Sequence, residues 1–388
     1  MPWKQSSLPA VRAQLVQALL GGRETVAEVC RRFGVSRQTA YKFKSRFLRE
    51  GRSGLVDRCR GPKRRGAGRW QRERRAVLCQ RRRRSTWGAR KLRWWLRQRY
   101  PHTRLPAERT VHRWLQTADL VPVRVRRRRV GAAVGGRPTI ARRPNDVWTM
   151  DLKGWFCTGD GRKVEPLTVR DLMSRFLLSA QPLRRRSETA VRARCRRLFA
   201  RYGCPRVIRT DLGSPFCGLG PHGLTALSLW WHRLGVRVEF VGRARRIDNN
   251  AHEQMHRVLK AETASPPAHH WQAQCRRLQR WCQHYNYRRP HDGLGLRVPA
   301  ALYRPSRNRP APLRLPRYPA GWLVRRVRRQ GDVCVAGRWR QIGRAFAGLP
   351  VGCRPVGNRY EVYFGRLHLG TLTPQLTRHL QPTSRPQS

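Results

Sequence analysis

Charge constrains this chain before anything else: 85 Lys and Arg stand against 21 Asp and Glu, a formal net charge of +64 over 388 residues. A compact fold of this composition repels itself strongly unless a polyanion shares the field. Nucleic acid is the partner that such an excess predicts. An acidic membrane surface is the other polyanion to weigh, but no apolar run approaches the roughly 20 residues needed to span a bilayer. The N-terminus also lacks the charged-then-apolar pattern of a signal peptide, so a soluble, intracellular protein is expected. Eleven cysteines, an odd number without any Cys-x-x-Cys pair, fit neither a secreted disulfide framework nor a structural zinc site of the usual spacing. Reduced thiols are expected.

The length suits about two or three domains. Residues 1–60 read as three short helices. Val11, Leu15, Ala18 and Leu19 give the first an apolar stripe. Thr25 and Glu28 form a capping box for the second, which Gly34 ends. Ser36 caps the third, where Ala40, Phe43 and Phe47 face inward and Arg37, Gln38, Tyr41, Lys42 and Lys44 project from the other faces. This is a helix-turn-helix pattern, and Arg and Gln are side chains that contact base edges bidentately. Residues 61–120 form a second helical unit, with Leu92, Trp95, Leu96, Val111, Trp114 and Leu115 as core and Arg109, Thr110, His112 and Arg113 free to meet DNA. Residues 121–145, with Arg126 to Arg129, Pro138 and Pro144, have the composition of a basic linker. Beyond residue 305 a proline-rich stretch leads into short alternating runs such as Tyr360, Val362 and Phe364 against Glu361 and Tyr363, which predict a small β-rich domain over 306–388.

Residues 146–305 hold the fewest Arg runs and the most informative acids. A strand over Val147 to Phe156 carries Asp151, and two more follow near Val164 to Val169 and Arg175 to Ala180. A helix over Glu188 to Tyr202 leads to a short strand that ends at Asp211. Another helix holds Trp230 and Trp231, another strand runs from Val236 to Val241, and a last helix spans about Asn250 to Glu262. This order predicts a mixed sheet flanked by helices, in a multidomain α/β chain. On the last helix Ala251, Met255, Val258 and Leu259 share one face, while Glu253, His256 and Lys260 share the opposite one. Glu262 falls on the apolar side, so Glu253 is the better candidate for a functional carboxylate.

Three segments now stand together: Trp148-Thr149-Met150-Asp151, then Thr210-Asp211-Leu212-Gly213-Ser214-Pro215-Phe216, then Asp248-Asn249-Asn250-Ala251-His252-Glu253 with Lys260 seven residues on. With Tyr285-Asn286, Arg289-Pro290-His291 and Leu294 behind them, the chain resembles the DDE-type transposases of bacterial insertion sequences, whose catalytic core is retroviral-integrase-like. The helical N-terminal units and the β-rich tail suit one branch of that group, so the resemblance covers nearly the whole chain. The 41 residues between Asp211 and Glu253 exceed the spacing typical of retroviral integrases.

The resemblance implies a ribonuclease H-like fold that gathers Asp151, Asp211 and Glu253 around two Mg2+ ions about 4 Å apart, with Mn2+ as a substitute. It implies DNA cleavage and strand transfer at the ends of an insertion sequence. His256, Arg257 and Lys260 would hold the DNA backbone beside the acids. It further implies double-stranded DNA as partner, both transposon ends and target, a homo-oligomer of at least two copies on DNA, and a place in the bacterial cytoplasm with the nucleoid. The competing class is a transposase-derived regulator that binds DNA without cutting it. A third reading comes from His252-Glu253-Gln254-Met255-His256, which spells the His-Glu-x-x-His of zinc peptidases. A metzincin continues with a glycine and a third histidine where this chain has Leu259 and Glu262, and no Glu follows from 263 to 360 to complete a site.

Overall fold

The computed structural model describes residues 7–58, 70–121, 138–152, 154–241, 246–373 and 380, with side chains left out over 246–251. The Arg126 to Arg129 run, Asp248 and Ala251's place in the apolar stripe lie outside what it describes. The chain divides into two compact units, Met1–Arg69 and Trp70–Ser388.

The first unit holds α1 (Leu8–Gly21), α2 (Val26–Phe33) and α3 (Arg37–Glu50). The capping box forms: Thr25 N–H donates to the Glu28 carboxylate at 2.8 Å, and Glu28 N–H donates to the Thr25 hydroxyl at 3.4 Å. The Thr25 hydroxyl, which also donates to the Glu28 carboxylate at 2.8 Å, and then the Thr25 N–H hold that carboxyl below its ordinary pKa. Gly34 ends α2 at φ 62, and Ser36 caps α3 by accepting from Thr39 N–H at 3.2 Å. Val16, Phe43 and Leu55 close the core, with Ala40 buried beside them. The Arg12 guanidinium lies 4.5 Å from the Phe43 ring centroid.

The second unit begins with α4 (Gln71–Arg83), α5 (Ala89–Arg99) and α6 (Glu108–Thr117), packed around Val77, Trp87, Leu92, Leu96, Val111 and Leu115. A mixed sheet follows. Its strands are β1 (Val147–Leu152), β2 (Phe156–Cys157), β3 (Lys163–Asp171), β4 (Leu177–Leu183), β5 (Val207–Asp211) and β6 (Arg237–Val241). β3 pairs antiparallel with β1 and β4, while β1, β5 and β6 run parallel. The single strand expected from Val147 to Phe156 is broken. β1 pairs Leu152 with Leu167, and β2 resumes against β3 at Phe156 with Val164, one residue out of register. An extra residue of this kind bends a strand and ends regular pairing locally.

Between the strands run α7 (Glu188–Tyr202) and α8 (Ala226–Arg233), and after β6 come α9 (Arg246–Thr263), α10 (Trp271–Tyr287) and the short α11 (Pro299–Leu302). One core layer joins Trp148, Met150, Val169 and Ile208 to Val191, Phe199 and Trp231 of α7 and α8. The other joins Val164, Leu177 and Ala180 to Met255 and Leu259 of α9 and Leu278, Trp281 and Tyr285 of α10. The sheet is thus covered on both faces. Helix α9 starts at Arg246, earlier than the sequence pattern suggests, and α10 stands where the sequence reading placed no element.

The tail is β-rich: β7 (Leu323–Arg326), β10 (Pro350–Val356), β11 (Arg359–Phe364) and β12 (Leu367–Leu372) form a four-stranded antiparallel sheet, and β8 (Asp332–Val335) pairs with β9 (Arg338–Gln341). Val362 and Phe364 point inward, as the alternation requires. None of the ten described cysteines is in a disulfide, and no described helix is long and apolar enough to cross a membrane.

Candidate active site

β1, which carries Asp151, runs parallel to β5, which ends at Asp211. Val147 lies opposite Val207, Trp148 opposite Ile208 and Thr149 opposite Arg209. The paired register ends there; Asp151 lies two residues further along β1, and Asp211 two residues further along β5, at its last position. Trp148 and Met150 turn into the α7–α8 layer, so Thr149 and Asp151 face α9, because side chains alternate along a strand.

Asp211 Oδ1 is buried and accepts no hydrogen bond from any described residue. Its carboxylate rests on the backbone of Gly213, where an added Cβ would lie 2.9 Å from Oδ2 and 3.3 Å from Oδ1. A buried carboxylate oxygen without a donor is costly unless a cation completes it. The donor set is all oxygen, the kind that hard divalent ions such as Mg2+ prefer.

Asp151 is the centre of a polar layer between sheet and helix. Its Oδ2 lies 3.6 Å from His256 Nδ1. The Thr168 hydroxyl donates to the Asp151 backbone carbonyl at 3.0 Å and meets Nε2 of both His252 and His256 at 2.7 Å. A hydroxyl has one proton to give, so both imidazoles donate to it from Nε2. The Thr149 hydroxyl lies 2.8 Å from His252 Nδ1. Burial is the first cause that pushes the His252 pKa well down, with His256 and Arg170 adding to it. The neutral ring then accepts from Thr149.

Asp151, His252 and His256 are the described residues whose ligand atoms lie close enough together, within 4.8 Å, to share a metal ion. Both Nε2 atoms are already spent on Thr168, and Glu253, the base a zinc peptidase would need, is on the exposed side of α9. The two histidines are second neighbours of the site, holding Asp151's strand to the helix.

Glu253 is exposed, as are Arg257 and Lys260. It precedes His256 by three residues, the spacing at which side chains on a helix are neighbours, and His256 touches Asp151. The three-donor group does not include it or Asp211. One expectation is corrected: His256 does not share the exposed face with Glu253 and Lys260. It is 7% exposed and turned to the sheet, because α9 packs against a layer that is itself polar and so buries histidines along with Met255 and Leu259.

The remaining core acids are occupied. Glu262 pairs with Arg289 at 3.0 Å and accepts from Trp281 Nε1 at 2.9 Å. Glu239 pairs with Arg209 at 3.0 Å. Asp171 accepts from Asn145 N–H and Ser174 N–H, with burial as the larger effect raising its pKa. Among the described residues of 141–299, Asp211 and Glu253 are the acids with neither a hydrogen bond nor an ion pair.

The helix-turn-helix candidates Arg37, Gln38, Tyr41 and Lys42 are exposed on α3, and Lys44 is partly so. Arg109, His112 and Arg113 are exposed on α6, opposite the buried Val111 and Leu115.

Family comparisons fit this geometry segment by segment. Residues 11–65 match the helix-turn-helix domain and 39–115 the homeodomain-like domain. Residues 141–246 and 234–299 match the integrase core domain, and 323–375 match the C-terminal domain of IS481 family transposases. The chain has the make-up of an insertion-sequence transposase with an integrase-like core. Its helix-turn-helix and integrase domains imply DNA binding, and the core is of the polynucleotidyl transferase type. Among solved structures, the intasome of simian T-cell lymphotropic virus in complex with the PP2A regulatory subunit B56 gamma is similar over 78% of this chain and 100% of its own, at 13% identity and a TM-score of 0.37. The HTLV-2 integrase catalytic core domain in complex with magnesium is similar over 42% of this chain at 11% identity. Its trimeric form is covered to 99% with a TM-score of 0.32, and its dimeric form to 97% with 0.31.

The sequence reading missed His252, Thr149 and Thr168 as a bonded layer around Asp151. The i, i+4 spacing of the two histidines was the available signal, since it sets both on one face.

Proposed function

We propose that the chain cuts DNA at the ends of an insertion sequence and joins them to a target, using Asp151, Asp211 and Glu253 as its acid triad. The observation that carries this reading is Asp211 Oδ1, buried and without a donor among the described residues, at the end of the strand that runs parallel to the one carrying Asp151. Glu253, exposed one helix turn from the Asp151–His256 contact, has like Asp211 neither a hydrogen bond nor an ion pair among the described residues. These carboxylates would hold two Mg2+ ions, which supply charge neutralisation and stabilise the attacking and leaving oxygens of a phosphodiester; Mn2+ has the same preference for oxygen ligands.

The protein's own share is positioning. Strands β1 and β5 carry two of the acids, Gly213 seats the second, and the Thr168–His252–His256 layer ties α9 to β1 and β3. Arg257 and Lys260, exposed on the same side of α9 as Glu253, would hold backbone phosphates without reading sequence. Arg37, Gln38, Tyr41, Lys42 and Lys44 on α3 would read the terminal repeats, with Arg109, His112 and Arg113 on α6 adding contacts. We further propose the segment boundaries 1–60, 61–120, 121–145, 146–305 and 306–388 as functional divisions, and a dimer or larger assembly, because two DNA ends must meet.

The test is cleavage and strand joining on DNA carrying the element's own ends, with Mg2+, for the natural chain and Glu253→Gln. Cutting by the first and binding without cutting by the second supports the reading. If both bind alike and neither cuts across metals and salts, the reading fails and a DNA-binding regulator replaces it. Binding must be followed at several salt concentrations, since roughly 6 to 10 phosphate contacts cost about three to five decades of affinity between 50 and 200 mM.

A further inference from the structure

A cavity of about 230 Å³ lies between α5, the turn before β4, α9 and the segment after α10. At roughly 30 Å³ per water, it has room for a tetrahedral oxyanion with its first waters. Lys91, Arg170, Arg175 and Arg289 line it together with His291, and Asp292 is the single carboxylate among the described lining residues.

Two of these cations have partners of opposite charge: Lys91 lies 3.0 Å from Asp292, and Arg289 3.0 Å from Glu262. Arg175 is different. It stands at φ 62 with its guanidinium against Gly293, where an added Cβ would meet Nη2. Among the described residues it has neither a hydrogen bond nor an ion pair. His291 is 7% exposed, and its Nε2 is buried without a partner among the described residues. Arg170, fully enclosed, adds charge to the same space.

We infer that this cavity binds a phosphate group, with Arg175 and His291 as its unspent donors and Lys91 and Arg170 as its supporting charge. Guanidinium forks match phosphate oxygens two at a time, and a partly buried cation regains from the anion what it lost in leaving water. Burial first, and then the charges of Arg289, Lys91, Arg175 and Arg170, push the His291 pKa down to about 2. Because Lys91 comes from α5 and the rest from the core, a bound phosphate would tie the second helical set to the integrase core.

The phosphate has two sources, a backbone phosphodiester of bound DNA or a free anion. The first arm of the test is thermal unfolding of the full chain at constant ionic strength, with chloride exchanged for inorganic phosphate. Tm should rise and saturate with phosphate, as for any ligand of the folded state. Arg175→Gln should be at least as stable as the natural chain in chloride, since it removes an unpaired charge, and should lose most of the rise. Arg314→Gln with Arg317→Gln, on the exposed connector, should keep it. An equal rise in Arg175→Gln and the natural chain overturns the site, as does destabilisation by Arg175→Gln in chloride.

The second arm rests on the DNA-binding reading and is separable from the first. If a DNA phosphate is the occupant, Arg175→Gln should flatten the salt dependence of duplex binding by about one unit of slope. An unchanged slope with a lost Tm response assigns the cavity to a free anion.

Discussion

Helices α3 and α9 are both amphipathic, and each carries residues that the sequence pointed to, yet the same rule served one and misled on the other. On α3 the buried residues, Ala40 and Phe43, are the apolar ones, and Arg37, Gln38, Tyr41 and Lys42 are left in solvent. Its packing partners are apolar, so hydrophobic periodicity and burial coincide. On α9 the buried set among the described side chains is His252, Met255, His256, Leu259 and Thr263. Part of that face meets Thr149, Thr168 and Asp151, and a polar surface on the sheet calls for polar residues on the helix, provided that each is hydrogen-bonded. A buried face is therefore apolar only where its partner is.

The largest expected effect tests what α9 owes to pairing. Glu262→Ala leaves Arg289 charged in a site where the two side chains are 5% and 4% exposed, and should cost about 3–5 kcal/mol of stability in denaturant unfolding. A loss under 1 kcal/mol would mean that water reaches the pair. Gly213→Ala moves the Asp211 carboxylate from its seat and should lower cutting by about 10²-fold with little change in DNA binding, since a displacement on the order of 1 Å can cost that much. Unchanged cutting would separate Asp211 from the chemistry.

Acid separates the two units next. Residues 1–69 contain no histidine, whereas His252, His284 and His291 in the second unit have pKa values lowered chiefly by burial, His284 to about 4 and His291 to about 2. Unfolded, these rings take up protons near their ordinary 6.5, and folded they do not. Stability should then fall as pH drops below about 6.5, continuing toward the folded values, with His252 and His291 each contributing up to about 1.4 kcal/mol per pH unit. Asp171, with its raised pKa, acts in the opposite sense near its own range. Circular dichroism melts at pH 7 and 5 should move the transition of the second unit and leave that of the first in place; a common shift would break the contrast.

The smallest effect returns to α3. Gln38→Ala should leave stability within about 0.5 kcal/mol, as for an exposed residue away from caps and core, while weakening specific binding by about 1–3 kcal/mol and relaxing preference at one base position. Uniform weakening over all sequences would make Gln38 a backbone contact instead.

The sequence by itself determined the local devices and the class of partner. A capping box at Thr25 and Glu28, a helix stop at Gly34 and an alternating strand at Val362 and Phe364 depend on neighbours a few residues away, and all form as read. Net charge needs no fold to imply a polyanion. Asp151 on a strand, Asp211 at a strand end and Glu253 on a polar helix face were also legible in the sequence, and the resemblance to DDE-type transposases joined them as a set. Only the tertiary structure decided which acids were left unspent, because that depends on partners far along the chain: Arg209 for Glu239, Arg289 and Trp281 for Glu262, and, among the described residues, no donor for Asp211 Oδ1. It also decided the place of His256, since whether a polar side chain can be buried depends on the surface across from it. The cavity that gathers Lys91, Arg170, Arg175 and His291 was equally out of reach, its four cationic or donor groups lying on elements that meet only in the folded chain.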